Sequence, residues 1–257
     1  MLLRPQKIFI TGASEGIGAA LARQYAGADT VLGLVARRSE PLAALAASLP
    51  GRCLIYPLDV TDAAALSAAA ADFIRHAGLP DVVIANAGVS IGTLTGESAD
   101  LPVFAQVMNV NVLGMVNTFH PFVLPLRAAQ SGQLVGIASV AGIRGLPGAS
   151  AYCASKAATI SYLEALRVEL RGSGVRVSTI LPGYIATQMT AQNPYRMPFI
   201  LPADEAARRI ARLIERKVSY AVMPWQMAIV TKLLRLLPNA LFDRIFARAG
   251  RKPRQTE

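Results

Sequence analysis

A parallel β-sheet covered by helices on both faces is the α/β fold this sequence predicts, and three observations carry it. Short apolar runs alternate with amphipathic helical stretches along most of the chain. A glycine-rich turn follows the first apolar run and opens the first helix. Hydrophobic residues make up 53% of the 257 residues and charged ones only 16%, ample material for a buried core.

The elements follow in order. KIFI (7–10) is the first strand, then comes the turn TGASEGIG and a helix to about Gly27. VLGLV (31–35) and CLIYP (53–57) read as strands around an Ala/Leu-rich helix at 40–49. A helix at 62–77 leads to strand VVIAN (82–86), and a long helix ending near Arg127 leads to strand QLVGIAS (133–139). Helix 151–171, strand VRVSTIL (175–181), helix 203–217 and the short run SYAVM (219–223) complete the pattern. With no internal repeat or low-complexity linker, one domain is expected over 1–224, with a basic amphipathic helical appendage at 225–257.

Charge and cysteine content narrow the function classes. Net charge is +10, and from Asp204 onward twelve Lys/Arg face five Asp/Glu, which accounts for +7 of it. The C-terminal fifth therefore suits an anionic partner, membrane or nucleic acid. Cys53 and Cys153 have no disulfide framework or metal-ligand spacing and read as small apolar residues in a reducing compartment. His76 and His120 match no motif and read as structural, so no metal is expected. The chain passes from Met-Leu-Leu-Arg-Pro straight into the first strand, which leaves no space for a signal peptide and sets the expectation of a cytoplasmic protein. Residues 101–126 carry no formal charge over a length that spans a bilayer. Gln106, Asn109, Asn111, Asn117 and His120 interrupt that stretch, so a helix buried inside the protein is the better reading.

Three local patterns carry chemistry. In TGASEGIG, Gly12, Gly16 and Gly18 let the backbone approach a pyrophosphate seated over a helix N-terminus; the alternative is a tight turn and nothing more. The second strand ends VARRSE, with Ala36 where an acidic side chain would grip the ribose hydroxyls of NAD, and then Arg37 and Arg38. Guanidinium groups pair bidentately with a phosphate, which favours NADP(H) over NAD(H), unless the two arginines are simply solvated. In AYCASKAAT, Tyr152 and Lys156 stand four apart on one helix face. They present a phenol and an ammonium to one substrate, or form a surface tyrosine and a solvated lysine; the spacing alone decides nothing.

Context decides it. TGASEGIG, LDV (58–60), ANAG (85–88), NVLG (111–114), IASVAG (137–142), YCASK (152–156) and PGYIAT (182–187) occur in the order and on the elements of the short-chain dehydrogenase/reductase family. The sequence resembles that family from Lys7 to about Met223. The resemblance implies a Rossmann-like doubly wound parallel sheet of about seven strands flanked by helices, with the dinucleotide across the strands' carboxyl ends. It also implies a catalytic set of Asn111, Ser139, Tyr152 and Lys156. Tyr152 is then the general acid/base, with its pKa lowered by the Lys156 ammonium. Lys156 also holds the nicotinamide ribose, Ser139 the substrate carbonyl, and Asn111 a water that relays protons to Lys156. For the cofactor the resemblance implies Gly12, Ser14, Gly16, Ile17 and Gly18 in the loop, and Asp59 and Val60 at the adenine. Asn86, Ala87 and Gly88 follow on the central sheet, with Ala85 in place of a frequent second asparagine. Pro182, Gly183, Ile185 and Thr187 flank the nicotinamide.

Beyond the last strand, Leu241, Phe242, Ile245, Phe246 and Ala249 form an apolar helical stripe, with Arg244, Arg248 and Arg251 on another face. Such a helix lies on a membrane surface, covers a substrate pocket or packs on a second subunit. The tail loosely resembles those of members acting on steroids and sphingoid ketones. With Met189, Met197, Phe199 and Ile200 on the expected substrate loop, an apolar carbonyl or alcohol substrate is anticipated, unless the methionines there simply fill the core. The resemblance further implies a homodimer or homotetramer built on helices 102–127 and 151–171. A non-catalytic NADP(H)-binding regulator and a peripheral-membrane module are the alternatives; nucleic acid is disfavoured because no binding motif accompanies the basic residues.

Overall fold

Along the first strand Phe9 points to one side while Ile8 and Ile10 point to the other, and all three are fully buried. That strand therefore lies at the centre of a sheet covered on both faces. The structure, a computed structural model, describes residues 6–254. Residues 1–5, where the signal-peptide expectation rests, and 255–257, the end of the predicted appendage, lie outside the described residues.

In chain order the elements are β1 (Lys7–Thr11), α1 (Gly16–Tyr25), β2 (Val31–Ala36), α2 (Ser39–Ser48), β3 (Arg52–Pro57), α3 (Ala63–Ala77) and β4 (Val82–Ala85). Then come α4 (Asp100–Met108), α5 (Gly114–Ala128), β5 (Gln133–Ile137), α6 (Ser150–Glu169) and β6 (Arg176–Pro182). Two short strands, β7 (Ile185–Ala186) and β8 (Leu201–Pro202), flank α7 (Gln188–Ala191). The chain continues through α8 (Ala203–Glu215), β9 (Tyr220–Met223), α9 (Trp225–Leu236) and α10 (Asn239–Phe246). The main sheet has seven strands in the order β3-β2-β1-β4-β5-β6-β9, every pairing parallel. The order reverses between β1 and β4, and a crevice opens there at the strands' carboxyl ends.

One core packs α1, α2 and α8 on the face of Ile8 and Ile10. On the opposite face a second core packs α3, α5 and α6 around Phe9, Phe73 and Phe122. The ring of Phe9 meets Phe73 edge-on at 5.5 Å and Phe122 at 5.0 Å. The predicted helices and sheet strands are present, with ends shifted by one or two residues.

The long apolar helix departs from its expected form. It runs from Asp100 to Ala128 and is partly buried inside the protein, but a π-helical turn at Asn109–Leu113 separates α4 from α5. An extra residue in that turn swings the Asn111 side chain fully inside. The appendage also differs from the drawn stripe. Helix α10 stops at Phe246, leaving Ala249 outside it, and Phe242 is buried while Leu241 and Ile245 are exposed. Arg144 pins this segment by donating to the carbonyls of Leu234 and Leu237, both at 2.9 Å, and by lying 4.0 Å over the Phe242 ring.

Candidate active site

The glycine-rich turn leaves β1 with backbone geometry that side chains resist. Gly12 sits at φ +67° and Gly16 at φ +57°, both left-handed. A Cβ on Gly12 would lie 2.8 Å from the Ala87 Cα, and one on Gly18 2.1 Å from the Gly12 carbonyl oxygen. Glycine at these points brings α1 against the turn. Glu15, at the N-cap, makes no side-chain cap there, so the first-turn N–H groups of α1 face the crevice. Asn86 fastens the other wall, donating from Nδ2 to the carbonyls of Thr11 at 3.2 Å and Gly12 at 3.1 Å. Thr11 Oγ1 accepts in return from the backbone N–H groups of Asn86 and Ala87.

A cleft of about 430 Å³ runs across the strand ends from the Arg37–Arg38 corner to Tyr152. Of the residues predicted for the cofactor, Gly12, Ser14, Gly16 and Ile17 line it, as do Arg37, Arg38, Asp59 and Val60. Asn86, Ala87, Gly88, Pro182, Gly183, Ile185 and Thr187 do so as well. Gly18 lies behind the turn as a packing glycine and does not reach the cleft. Leu58, the first residue of LDV, also forms the wall, as do Val110 and Gln188, which carried no motif of their own beyond adjacency to NVLG and PGYIAT. At one end Arg38 pairs with Glu15 at 2.6 Å, and Arg37 Nη1 lies 3.9 Å from Asp59 Oδ2. These exposed pairs hold their partners weakly.

At the other end the side chains predicted for catalysis converge. Ser139 follows β5, and its hydroxyl accepts from the Ala141 N–H at 3.1 Å and hydrogen-bonds the Tyr152 phenol. Tyr152 is in the first turn of α6 and Lys156 is one turn on. Lys156 is 5% exposed; its Nζ donates to the Ile137 carbonyl at 2.9 Å and lies 5.9 Å from the Tyr152 ring centroid. Asn111 does not line the cleft. Its Oδ1 accepts from Val89 N at 2.8 Å, while Nδ2 donates to Val89 O at 3.0 Å and Ser155 Oγ at 2.9 Å. The amide thus ties α6 to the loop after β4; both its N–H donors are taken up by protein partners, and Oδ1 keeps one acceptor site.

The expected depression of the Tyr152 pKa needs correction. Burial pushes the phenol up to about 12 and outweighs the Ser139 hydrogen bond that pulls it down. Burial also pushes Lys156 down to about 8. Four-residue spacing placed the pair on one face but could not weigh desolvation against charge.

On the expected substrate side, Met189 lines the cleft; Met197, Phe199 and Ile200 do not, and Phe199 and Ile200 are exposed. His76 is held by the Asp72 carbonyl and carboxylate, and His120 is exposed, so neither belongs to the cleft. Among the described residues no group of His, Cys, Asp and Glu is arranged to hold a metal.

Comparison with known proteins agrees with this geometry. Residues 6–197 match the short chain dehydrogenase family. An uncharacterised oxidoreductase of Myxococcus xanthus is 37% identical over 91% of this chain and 93% of its own length. An 11-beta-hydroxysteroid dehydrogenase-like protein of Arabidopsis thaliana is 32% identical over 93% of this chain and 81% of its own. Among solved structures, an alcohol dehydrogenase of Thermococcus sibiricus complexed with 5-hydroxy-NADP is 26% identical, with a TM-score of 0.74 over 85% of this chain and 95% of its own. A Burkholderia phymatum short-chain dehydrogenase/reductase in complex with NAD shares the fold along the whole of both chains, with a TM-score of 0.83 at 24% identity. With its seven-stranded parallel sheet, glycine turn and convergent Ser139, Tyr152 and Lys156, the chain belongs to the short-chain dehydrogenase/reductase family of oxidoreductases.

Proposed function

We propose that the protein interconverts a ketone or aldehyde with an alcohol, uses NADP(H) in preference to NAD(H), and acts on a predominantly apolar substrate. The observation that carries this reading is one cleft with Arg37 and Arg38 at one end and Ser139, Tyr152 and Lys156 at the other. The cleft fits a dinucleotide on its own chemistry: left-handed glycines, an uncapped helix N-terminus and no room for a Cβ at Gly12.

NADP(H), when bound, supplies the hydride for reduction and takes it up for oxidation. Ser139 Oγ orients the substrate carbonyl by donating to its oxygen. As the carbon gains hydrogen and the C=O π bond opens, Tyr152 gives its phenolic proton to that oxygen, and the alcohol results. A phenol held at about 12 is protonated throughout the neutral range and ready for this role. The Lys156 ammonium steadies the phenolate left behind. Asn111 acts at a distance by fixing α6 against the loop after β4.

Cofactor choice is tested by following NADPH and NADH oxidation across ketones of increasing apolar size. Exchanging both Arg37 and Arg38 for Ala is expected to raise KM for NADPH about 30-fold or more and leave that for NADH within about threefold, since charge-assisted bonds to a phosphate are lost. Equal loss with both cofactors would show that the arginines do not read a phosphate.

Two surfaces suit partners. Trp225, Ile229, Leu233 and Leu236 are exposed along one side of α9, next to Lys232 and Arg235, which favours contact with an anionic membrane surface. Leu101, Leu113, Leu124 and Val168 are exposed on the helices that would pair two copies. Flotation of the full chain with phosphatidylserine vesicles should be lost on Leu233→Glu together with Leu236→Glu, and sedimentation should give a dimer or tetramer. Flotation indifferent to the two substitutions would remove the membrane role.

A further inference from the structure

The chain turns back after α10, and residues 247–254 form a strap beside the loops that border Tyr152. Gly92 N–H donates to the Pro253 carbonyl at 2.8 Å, and Gly92 pairs with Arg254 in a parallel bridge. A Cβ on Gly92 would lie 2.3 Å from the Lys252 carbonyl oxygen, so the loop accepts the strap only as glycine. Arg254 anchors its end, bonding Asp100 Oδ2 at 2.9 Å and Glu97 Oε2 at 3.2 Å; Asp100 is 3% exposed and also accepts from Leu94 N at 2.7 Å. Upstream, Arg251 packs on Gly148 and Gly250 packs on Tyr195.

The anchors hold Lys252 at the reactive end. Its Nζ lies 5.5 Å from the Tyr152 ring centroid, its side chain is half-buried, and it does not line the cofactor cleft. Among the described residues no carboxylate pairs with it, whereas Arg254, two positions on, has two. The nearby Cys153 thiol, which burial pushes up, counters the effect of burial on Lys252 only in part. A half-buried ammonium without a counter-ion is unfavourable, and burial pushes Lys252 down to about 8. The Tyr152 ring attracts this ammonium but is no counter-ion, so the firmly tied strap keeps an unpaired charge beside the phenol.

We propose that Lys252 is a specificity-determining residue that pairs with a carboxylate on the substrate, a few bonds from the reacting carbonyl. This rests on the carbonyl–alcohol reading above and names its substrate class: an apolar oxo acid, or the matching hydroxy acid. One ammonium matches one negative charge; a phosphate dianion would leave a buried excess. The remainder of the ligand meets the apolar and aromatic surroundings of Met189, Tyr184 and Tyr195.

The test compares benzoylformate and benzoylpropionate, each against its primary amide, in the full chain with NADPH. The acid of at least one pair is expected to exceed its amide in kcat/KM by about tenfold or more, chiefly through KM. Lys252→Met should bring that ratio close to one, and Lys252→Arg should keep most of it. Equal turnover of acid and amide by the wild type, or an equal fall for both in Lys252→Met, overturns the role of Lys252 while the oxidoreductase reading stands. If no carbonyl compound is turned over, that reading fails, and calorimetry on the NADPH-loaded protein decides the present one. Phenylbutanoate binding more tightly than phenylbutanamide, with the difference abolished in Lys252→Met, upholds the anion site; equal binding sinks it.

Discussion

Tyr152→Phe is expected to lower turnover of any carbonyl substrate by about a thousandfold or more, the scale of a positioned proton donor. The substitution removes one oxygen and keeps the ring, which packs in the first turn of α6. Melting temperature should change by only a few degrees and NADPH affinity by less than about threefold, because the glycine turn, the α1 N-terminus and the Arg37–Arg38 corner of the cleft are left unchanged. pH adds a second signature. Reduction needs the phenol protonated, and a pKa of about 12 keeps it so far above neutrality. Lys156 and the neighbouring Lys252 both titrate at about 8, so wild-type reduction should begin to fall there, and the part of the fall that Lys252→Met retains belongs to Lys156. Rates, affinities and the pH profile together check the assignment. A variant that still turns over ketones at a tenth of the wild-type rate would remove Tyr152 as the acid. A wild type that binds NADPH tightly and reduces nothing would favour the regulatory alternative.

Much of this fold and cleft is legible in the sequence. The strand–glycine turn–helix signal and the seven ordered motifs depend on local backbone demands, and local demands leave their mark in local sequence. Gly114 of NVLG illustrates it: a Cβ there would stand 2.6 Å from the Val60 side chain of LDV, so two motifs are two sides of one contact. What escaped was non-local. Asp100 and Arg254 are 154 residues apart, and nothing near either announces the other. Lys252 sits in the basic C-terminal run that suits an anionic partner as a whole, and only the return of the strap brings it to Tyr152. The π-helical turn escaped because its apolar periodicity is nearly that of an α-helix. The direction of the Tyr152 shift escaped for a related reason. Spacing places a lysine on the same face, but the balance between its charge and the burial of the phenol depends on how closely the surroundings exclude water.

Lys156→Met should separate stability from function in opposite directions. Reduction should fall by a factor of 100 or more, since the ammonium beside the phenol is lost. Stability of the cofactor-free protein at neutral pH should rise. Lys156 is 5% exposed, and burial takes it from 10.5 to about 8, so its charged form destabilises the fold by about 3 kcal/mol. Removing the donor leaves the Ile137 carbonyl without its 2.9 Å bond, a loss of about 1 kcal/mol. The net gain of roughly 2 kcal/mol corresponds to about 4–8 °C in Tm for a chain of this size. The pH dependence fixes the cause. Below about 8 the lysine is charged in both states and the full penalty applies. Between about 8 and 10.5 the unfolded chain holds the proton that the folded one releases, so wild-type stability gains relative to the variant as pH rises. Lys252 titrates in both proteins and cancels in the comparison. Thermal denaturation of the pair from pH 7 to 10.5 should therefore show a gap that narrows with pH. A variant less stable at pH 7, or a gap that stays constant, would mean that Lys156 is anchored by its surroundings rather than strained by them. The unpartnered charge would then not be the site's built-in cost.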